Sequence, residues 1–501
     1  MPALRRKLFS GTAYTLAGAI AAHAISLVLS VVYARLLGTD LLGKLAVITQ
    51  LASTIVPLSN LGMGTVVARM IPEYQRKGKD ATAKLLSSAY VVIFATGAVV
   101  SLTYFVLAGY LASFLGIPEL WPLIQISASI VVLDALLNLS AAVVQGFQRV
   151  RELAVLGLLS KAVTVPVVFV LVLTFGLLGA VLASVVAILL NIAIYFRAIL
   201  GILRRDRLRP SLRGFDRATA TAVLAGALPL FASFIVLRPA LFFQTSFLAL
   251  TVGYQAAGFS LIAQGLYRIA LLMPNALSIP LLPAISEMYV EDTRERTRGK
   301  LSALIRVTAM VSLPVSLAIG LGSIVIIQIL YGSQYAAAAP LAFVMSAAAF
   351  VDSLGVVIES TLLGTGRMKL VFLLTGMQAS VVAIGSFLFI GWFGLIGIGF
   401  AMLANAILYA AVVGVYFLRR GELNFHEFRG ILAFSLAAFG GAALLVVLGS
   451  LSNLPISIAF LVSLLVVEVF MLSPRDRFVL RDAVKGELRD FARAIRRLLH
   501  I

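Results

Sequence analysis

The chain has no cysteine, only three histidines and two tryptophans in 501 residues, and just 12% of its residues are charged. Without cysteine there is no disulfide, no thiolate zinc site and no cysteine nucleophile. The histidines, His23, His426 and His500, stand too far apart for any local metal-ligand spacing. Charge is scarce across the whole chain, whereas soluble domains carry about 25% charged and about 45–50% apolar residues. Apolar residues here reach 61%, which excludes the three soluble domains that the length alone would suggest. At about 20 apolar residues per membrane helix, they could fill about fourteen spans. A β-barrel would show alternation over segments of roughly 10 residues, not long unbroken apolar runs. The sequence therefore predicts an all-α polytopic membrane protein.

Apolar runs fall near 10–37, 42–70, 85–114, 122–147, 153–175, 177–200, 220–250, 254–286, 301–330, 337–364, 370–391, 393–418, 430–449 and 454–472. The opening Arg5-Arg6-Lys7 and Ala22-His23-Ala24 imitate a secretory signal, but the run continues to Leu37 and reads as an uncleaved first span. Connections alternate in charge. One set carries Lys and Arg: Arg76 to Lys79, Arg149 to Arg151, Arg204 to Arg207, Arg294 to Lys300, Arg367 to Lys369, Arg419-Arg420 and the tail from Arg475. The other set carries none: Gly38 to Gly43, Gly116 to Pro122, Gly253 to Gly258, Gly332 to Tyr335, Gly391 to Gly394 and Ser450 to Pro455. Basic loops stay cytoplasmic, so the plasma membrane is crossed with both termini inside. This also accounts for the net charge of +19 without nucleic acid.

The chain repeats itself. Pro122/Pro340, Asp134/Asp352, Gly146/Gly364, Arg149/Arg367, Gly176/Gly394 and Gly179/Gly397 are all 218 positions apart. Nearer the start the offset is 215, pairing Gly38 with Gly253 and Gly43 with Gly258. Spans 1–6 thus correspond to spans 7–12. An even number of spans makes the repeat parallel, about an axis along the membrane normal. The expected division is an N-terminal lobe at 8–200, a cytoplasmic linker at 201–219 and a C-terminal lobe at 220–418. Two further spans follow at 430–472, then a basic amphipathic tail at 473–501 lying on the anionic inner leaflet. Two such lobes around a cleft can work by alternating access.

A charge at mid-bilayer costs roughly 2.5–3.5 kcal/mol on insertion scales, so each one needs a reason. Arg238 lies mid-way along span 7, and Arg268 along span 8, where Gln264, Arg268 and Asn275 share a face. His23, Ser26, Ser30 and Tyr33 form a stripe on span 1, and His23 is the repeat counterpart of Arg238. One reading is a cationic cleft for an anionic headgroup, since a guanidinium fork matches phosphate oxygens. The other is that these groups pair with acids or carbonyls and hold the bundle together.

Asp134 and Asp352 sit at equivalent points of spans 4 and 10, with Asn138 and Gln145 in line with the first and Glu359 with the second. Asp134, Asp352 and Glu359 are candidates to carry a coupling ion; alternatively the two aspartates cap kinks near Pro122 and Pro340. Arg35, Asp40 and Lys44 crowd the outer end of spans 1 and 2, where Arg35 could mark an exit, and Glu468 on span 14 is a groove or packing residue. Pro57, Pro229, Pro239, Pro274, Pro280, Pro283 and Pro314 are expected to interrupt helices, with span 8 the best hinge. No Gly-Lys-Ser phosphate loop and no paired outer carboxylates occur, so neither ATP hydrolysis nor a membrane transferase is indicated, and no cofactor is implied.

Val32-Tyr33-Ala34-Arg35-Leu36-Leu37-Gly38 and Leu58-Ser59-Asn60-Leu61-Gly62-Met63-Gly64 resemble the opening helix pair of polysaccharide-biosynthesis flippases. These form a branch of the multidrug/oligosaccharidyl-lipid/polysaccharide exporter superfamily. Leu330-Tyr331-Gly332-Ser333-Gln334-Tyr335-Ala336 and Leu363-Gly364-Thr365-Gly366-Arg367 look like their second-lobe counterparts, and the resemblance spans roughly 8–470. It implies outward movement of a polyprenyl (pyro)phosphate-linked saccharide. The phosphates would be held by cavity arginines, of which Arg268 and Arg35 match basic positions of related flippases. Spans 13 and 14 would serve the lipid tail. Membrane lipids and the glycosyltransferases or polymerase of the same pathway are the implied partners. Arg69 departs from the pattern, lying at the cytoplasmic end of span 2. Sister branches export drugs or organic cations, which calls for an acidic cleft, or a peptidoglycan lipid precursor, which calls for a basic one.

Overall fold

A computed structural model describes residues 2–208, 211, 214–275, 294–423, 429–447 and 459–464. Helices dominate them and no strand occurs among them, as hydrocarbon demands, because only internal pairing satisfies the backbone there. In chain order the helices are α1 (Pro2–Asn60), α2 (Met63–Lys77), α3 (Lys79–Phe114), α4 (Trp121–Gly146), α5 (Val150–Asp206), α6 (Arg217–Thr251) and α7 (Tyr254–Ala270). Then follow α8 (Arg294–Leu321), α9 (Ser323–Leu330), α10 (Ala339–Gly364), α11 (Met368–Phe393), α12 (Leu395–Arg419) and α13 (Arg429–Val447). Eight helical segments among the described residues are long and apolar enough to cross a membrane, and shorter apolar helices lie at 235–251 and 433–446.

Two helices are too long for one crossing. α1, at 59 residues, would stretch about 89 Å if straight, roughly three times the hydrocarbon thickness. It is broken at Gly38 (φ 76°, ψ 179°), and α5 at Gly176 (φ 56°, ψ −128°). Both are left-handed conformations that glycine adopts without a Cβ penalty. A second break, at Leu61 and Gly62 (φ 50° and 74°), separates α1 from α2 inside the run expected as a single second span.

The prolines behave differently from expectation. Pro57 and Pro314 lie within α1 and α8, and α6 runs through both Pro229 and Pro239, so none of these ends its helix. The breaks at Gly38 and Gly176 take positive φ, which proline cannot supply. Pro274 does meet the expectation for span 8: α7 ends at Ala270, the residue whose carbonyl a proline four positions on leaves without a donor, and a turn follows at Leu271. Pro122 and Pro340 are not kinks either; each occupies the first turn of its helix, where a missing N–H costs nothing. The suggestion that Asp134 and Asp352 cap kinks there is therefore corrected. Pro280, Pro283, His426, Glu468, His500 and the tail lie outside the described residues.

The repeat is visible in the backbone. α4 and α10 begin and end 218 positions apart. Gly394 (φ 58°, ψ −128°) reproduces the conformation of Gly176. A Cβ on Gly179 would strike the Leu171 carbonyl, and one on Gly397 the Phe389 carbonyl, again 218 positions on. The repeat partners Arg149 and Arg367 differ in their ion pairs. Arg149 reaches Glu152 one turn away at 2.9 Å, whereas Arg367 forks Glu422 at 2.8 and 3.2 Å and lies over the Tyr416 and Phe417 rings.

The chain divides into two compact units, residues 24–258 and residues 1–23 with 259–501. In the first, α3 packs on α4, α4 on α5, and α6 on α2 and α3. Its core holds Leu45, Ile48, Leu51, Tyr104, Ile124, Val131 and Val168. Short polar links stitch the helices: Tyr104 to Ser127 (2.9 Å), Tyr90 to Ser140 (3.1 Å), and the Ser59 hydroxyl to the Val131 carbonyl (3.2 Å). Small hydroxyl residues suit this, since they allow close approach in lipid. The segment before α6 is pinned to α3. Ser88 accepts from the Asp216 N–H at 2.9 Å, and Ser87 from the Ser211 N–H at 3.1 Å. Asp216 caps α6 by accepting from the Thr219 N–H (2.8 Å) and hydroxyl (2.5 Å). Those donors hold its carboxyl below the usual carboxylate range. In the second unit α8, α10, α11 and α12 pack together. There α13 joins α8, with Phe439 against Phe350 at 5.7 Å between ring centroids.

Candidate functional site

Within the unit 24–258 a cavity of about 440 Å³ opens between the second arm of α1, α4, the second arm of α5 and α6. Its polar wall is built from helical spacing. Thr49, Ser53 and Asn60 lie at i, i+4 and i+11 along α1, one stripe on one face. Asp134 and Asn138, one turn apart, do the same on α4; Ser184 enters from α5 and Arg238 from α6. Val56, Pro57 and Ile130 fill between them.

The polar groups differ in how well they are satisfied. Asp134 accepts from the Asn138 side-chain amide at 2.7 Å, and the same amide reaches the Asp134 carbonyl at 2.9 Å. Thr54 donates to the Arg238 carbonyl at 3.4 Å, tying α1 to α6. The Arg238 side chain forms no ion pair among the described residues. Asn60 Oδ1 is buried and has no hydrogen-bond donor among them. An unsatisfied buried acceptor costs about 1–3 kcal/mol, and this oxygen has almost no accessible surface, so it takes a donor from the cavity only if the Asn60 side chain turns. The wall thus combines one cation, one carboxylate, amides and hydroxyls.

Of the residues singled out from sequence, Arg238 and Asp134 line this cavity. His23, expected to mirror Arg238, is exposed at the boundary of the unit and does not line it. Arg35 is exposed in the turn before the Gly38 break. Arg268, Gln264, Asn275, Asp352 and Glu359 belong to the other unit. There the Tyr267 hydroxyl donates to Asp352 Oδ2 at 2.6 Å, joining α7 to α10. Glu359 lies two turns beyond Asp352 and is exposed. Arg268 and Asn275 are exposed as well, and Gln264 is half-buried. Asn60, Thr49 and Ser53 were not singled out from sequence, although their helical stripe was there to be read. Tyr267 carried no such signal, because its partner is 85 positions away.

The fold has known relatives. The structure superposes on an inward-facing multidrug resistance MATE family transporter of the MOP superfamily with a TM-score of 0.68, at 15% identity over 79% of this chain and 94% of that one. The lipid II flippase MurJ, in an inward closed conformation, gives 0.69 at 14% identity over 90% and 97%. A MOP superfamily transporter from Pyrococcus furiosus, described as having a binding pocket of reversed polarity, gives 0.61 at 16% identity over 82% and 96%. No curated protein matches the sequence. The sequence profile of the family described as polysaccharide biosynthesis protein matches residues 8–289, more than half of the chain. A multi-pass all-α chain with the fold of MOP-superfamily transporters, this protein belongs to the polysaccharide biosynthesis protein family.

Proposed function

We propose that the protein is a flippase that carries a lipid-linked oligosaccharide outward across the plasma membrane by alternating access, with both termini cytoplasmic. In this reading the lobes are residues 8–200 and 220–418. The substrate is a polyprenyl (pyro)phosphate-linked saccharide supplied by glycosyltransferases of the same pathway, and the protein catalyses no covalent step. The observation that carries the reading is the cavity wall. Arg238 has no acidic partner among the described residues, and Asn60, Asn138, Thr49 and Ser53 line the same wall. A phosphate answers the first, and sugar hydroxyls suit the amides and hydroxyls beside it. At about 440 Å³ the cavity falls within the range of about 300–1,000 Å³ typical of small-ligand sites. That is room for a headgroup, with the lipid tail left in the membrane. Arg268, in the other unit, is a further candidate for phosphate binding, and Asp134, Asp352 and Glu359 are the groups available to couple an ion.

Asp134 in the same wall favours a second reading, a carrier for an organic cation, because a carboxylate would welcome one. Arg238 opposes it through like-charge repulsion. Replacing Arg238 or Arg268 by Ala should abolish translocation of a polyprenyl-pyrophosphate oligosaccharide in vesicles while membrane insertion stays normal. Asn60→Leu should weaken handling of the saccharide-bearing lipid more than of the bare polyprenyl pyrophosphate. Full activity in the Arg238→Ala/Arg268→Ala double variant would remove the headgroup reading.

A further inference from the structure

Two glycine corners related by the repeat meet face to face. Gly43 stands 215 positions before Gly258, and Thr39 the same number before Tyr254. A Cβ built on Gly43 would strike the Tyr254 carbonyl and come within 3.1 Å of the Gly258 nitrogen. One built on Gly258 would come within 2.6 Å of the Thr39 carbonyl and 3.2 Å of the Gly43 nitrogen. Each residue thus faces the repeat partner of the residue that faces it, the reciprocal pattern of a two-fold contact. The helices cross backbone to backbone, with no side chain between them. Just before these residues, Gly38 (φ 76°) and Gly253 (φ 115°) make the turns that bring the corners together. The crossing is buttressed from both sides. The Tyr254 hydroxyl donates to the Leu115 carbonyl at the end of α3. The Lys44 ammonium, paired with Asp40 at 3.0 Å, lies 5.9 Å from the Tyr254 ring centroid.

We infer that this Gly43–Gly258 crossing is the outer seal of the translocation path, a gate closed by backbone fit and opened when the two corners part. The inference rests on the alternating-access reading and on the charge pattern that assigns the connections 38–43 and 253–258 to the outside. Neither corner has room for a methyl group. A side chain as small as alanine must therefore wedge the crossing, penalising the sealed state and leaving the parted state untouched. Overpacked contacts of this kind shift equilibria by about tenfold or more.

The absence of native cysteine gives a background-free test. A single Ser53→Cys, in the cavity wall, is labelled with a membrane-impermeant maleimide from outside in wild-type, Gly43→Ala and Gly258→Ala backgrounds. Gly109→Ala, whose new methyl meets nothing within 4 Å, serves as control. Outside labelling is expected to rise about tenfold in both corner variants and to stay at the parent level in the control. A permeant maleimide gives the total and identifies any variant that has not folded. Because a corner variant could fail to fold, a second arm places Lys44→Cys with Tyr254→Cys and oxidises the pair. Outside labelling of Ser53→Cys should then vanish, while labelling from inside persists. Unchanged outside labelling in folded corner variants, or outside labelling that survives the cross-link, would overturn the seal. A seal that behaves as expected in a protein that moves no lipid-linked saccharide would overturn the proposed substrate instead.

Discussion

Asn60 and Arg238 show how a few polar atoms in an apolar bundle become its chemistry. Each is expensive where it sits unless something pairs with it, and neither is satisfied by a described side chain. The sequence alone pointed to Arg238 and Asp134, because a charge in a long apolar run stands out. Asn60 stood out only as part of the motif Leu58 to Gly64, because an uncharged amide is less conspicuous than a charge in an apolar run. His23 stood out by the same logic as Arg238; it is exposed and belongs to the other unit. Tyr267 was invisible without the fold, and its bond to Asp352 joins two helices. Hydrogen bonds between membrane helices contribute about 0.6 kcal/mol on average and about 1.7 at most. Tyr267→Phe should lower the stability of the detergent-solubilised protein within that span, read as a drop in unfolding midpoint. An unchanged midpoint would mean that the hydroxyl holds nothing together.

At the scale of helices, glycine directs the chain more than proline does. Of seven prolines expected as interruptions, α1, α6 and α8 pass through the four that lie in them, whereas α7 ends at Ala270, four residues before Pro274. Proline leaves φ in the helical range and frees one carbonyl, which a bundle tolerates. The bends at Gly38 and Gly176 need positive φ and so need glycine. Proline placement was legible in sequence; which residues would actually break a helix was not, because that depends on the φ the turn demands. The repeat makes this level testable twice over. Gly179 and Gly397 each press on a carbonyl one repeat apart, whereas Gly157 and Gly376 have open space around the missing Cβ. Alanine at 179 or at 397 should destabilise by about 1–3 kcal/mol, to a similar extent in the two halves. Alanine at 157 or 376 should leave stability essentially unchanged. Thermal unfolding of the four variants decides it, and a cost at only one of the first pair would show that the two corners are not mechanically equivalent.

For the molecule as a whole, the repeat offset was readable before any coordinates. Asp, Arg and Pro rarely recur by chance at one fixed offset in low-complexity apolar sequence. The backbone carries the same offset, in the bounds of α4 and α10 and in the matched dihedrals of Gly176 and Gly394. The cavity was harder to foresee, since it depends on α1, α4, α5 and α6 meeting. Periodicity assigns a residue to a face but not that face to a neighbour. What the molecule carries is the central claim. It is tested most directly in proteoliposomes holding the wild-type protein, offered either a polyprenyl-pyrophosphate oligosaccharide or a lipophilic organic cation. The account predicts transbilayer movement of the anionic lipid-linked saccharide and none of the cation. Movement of the cation with no movement of the lipid would contradict it.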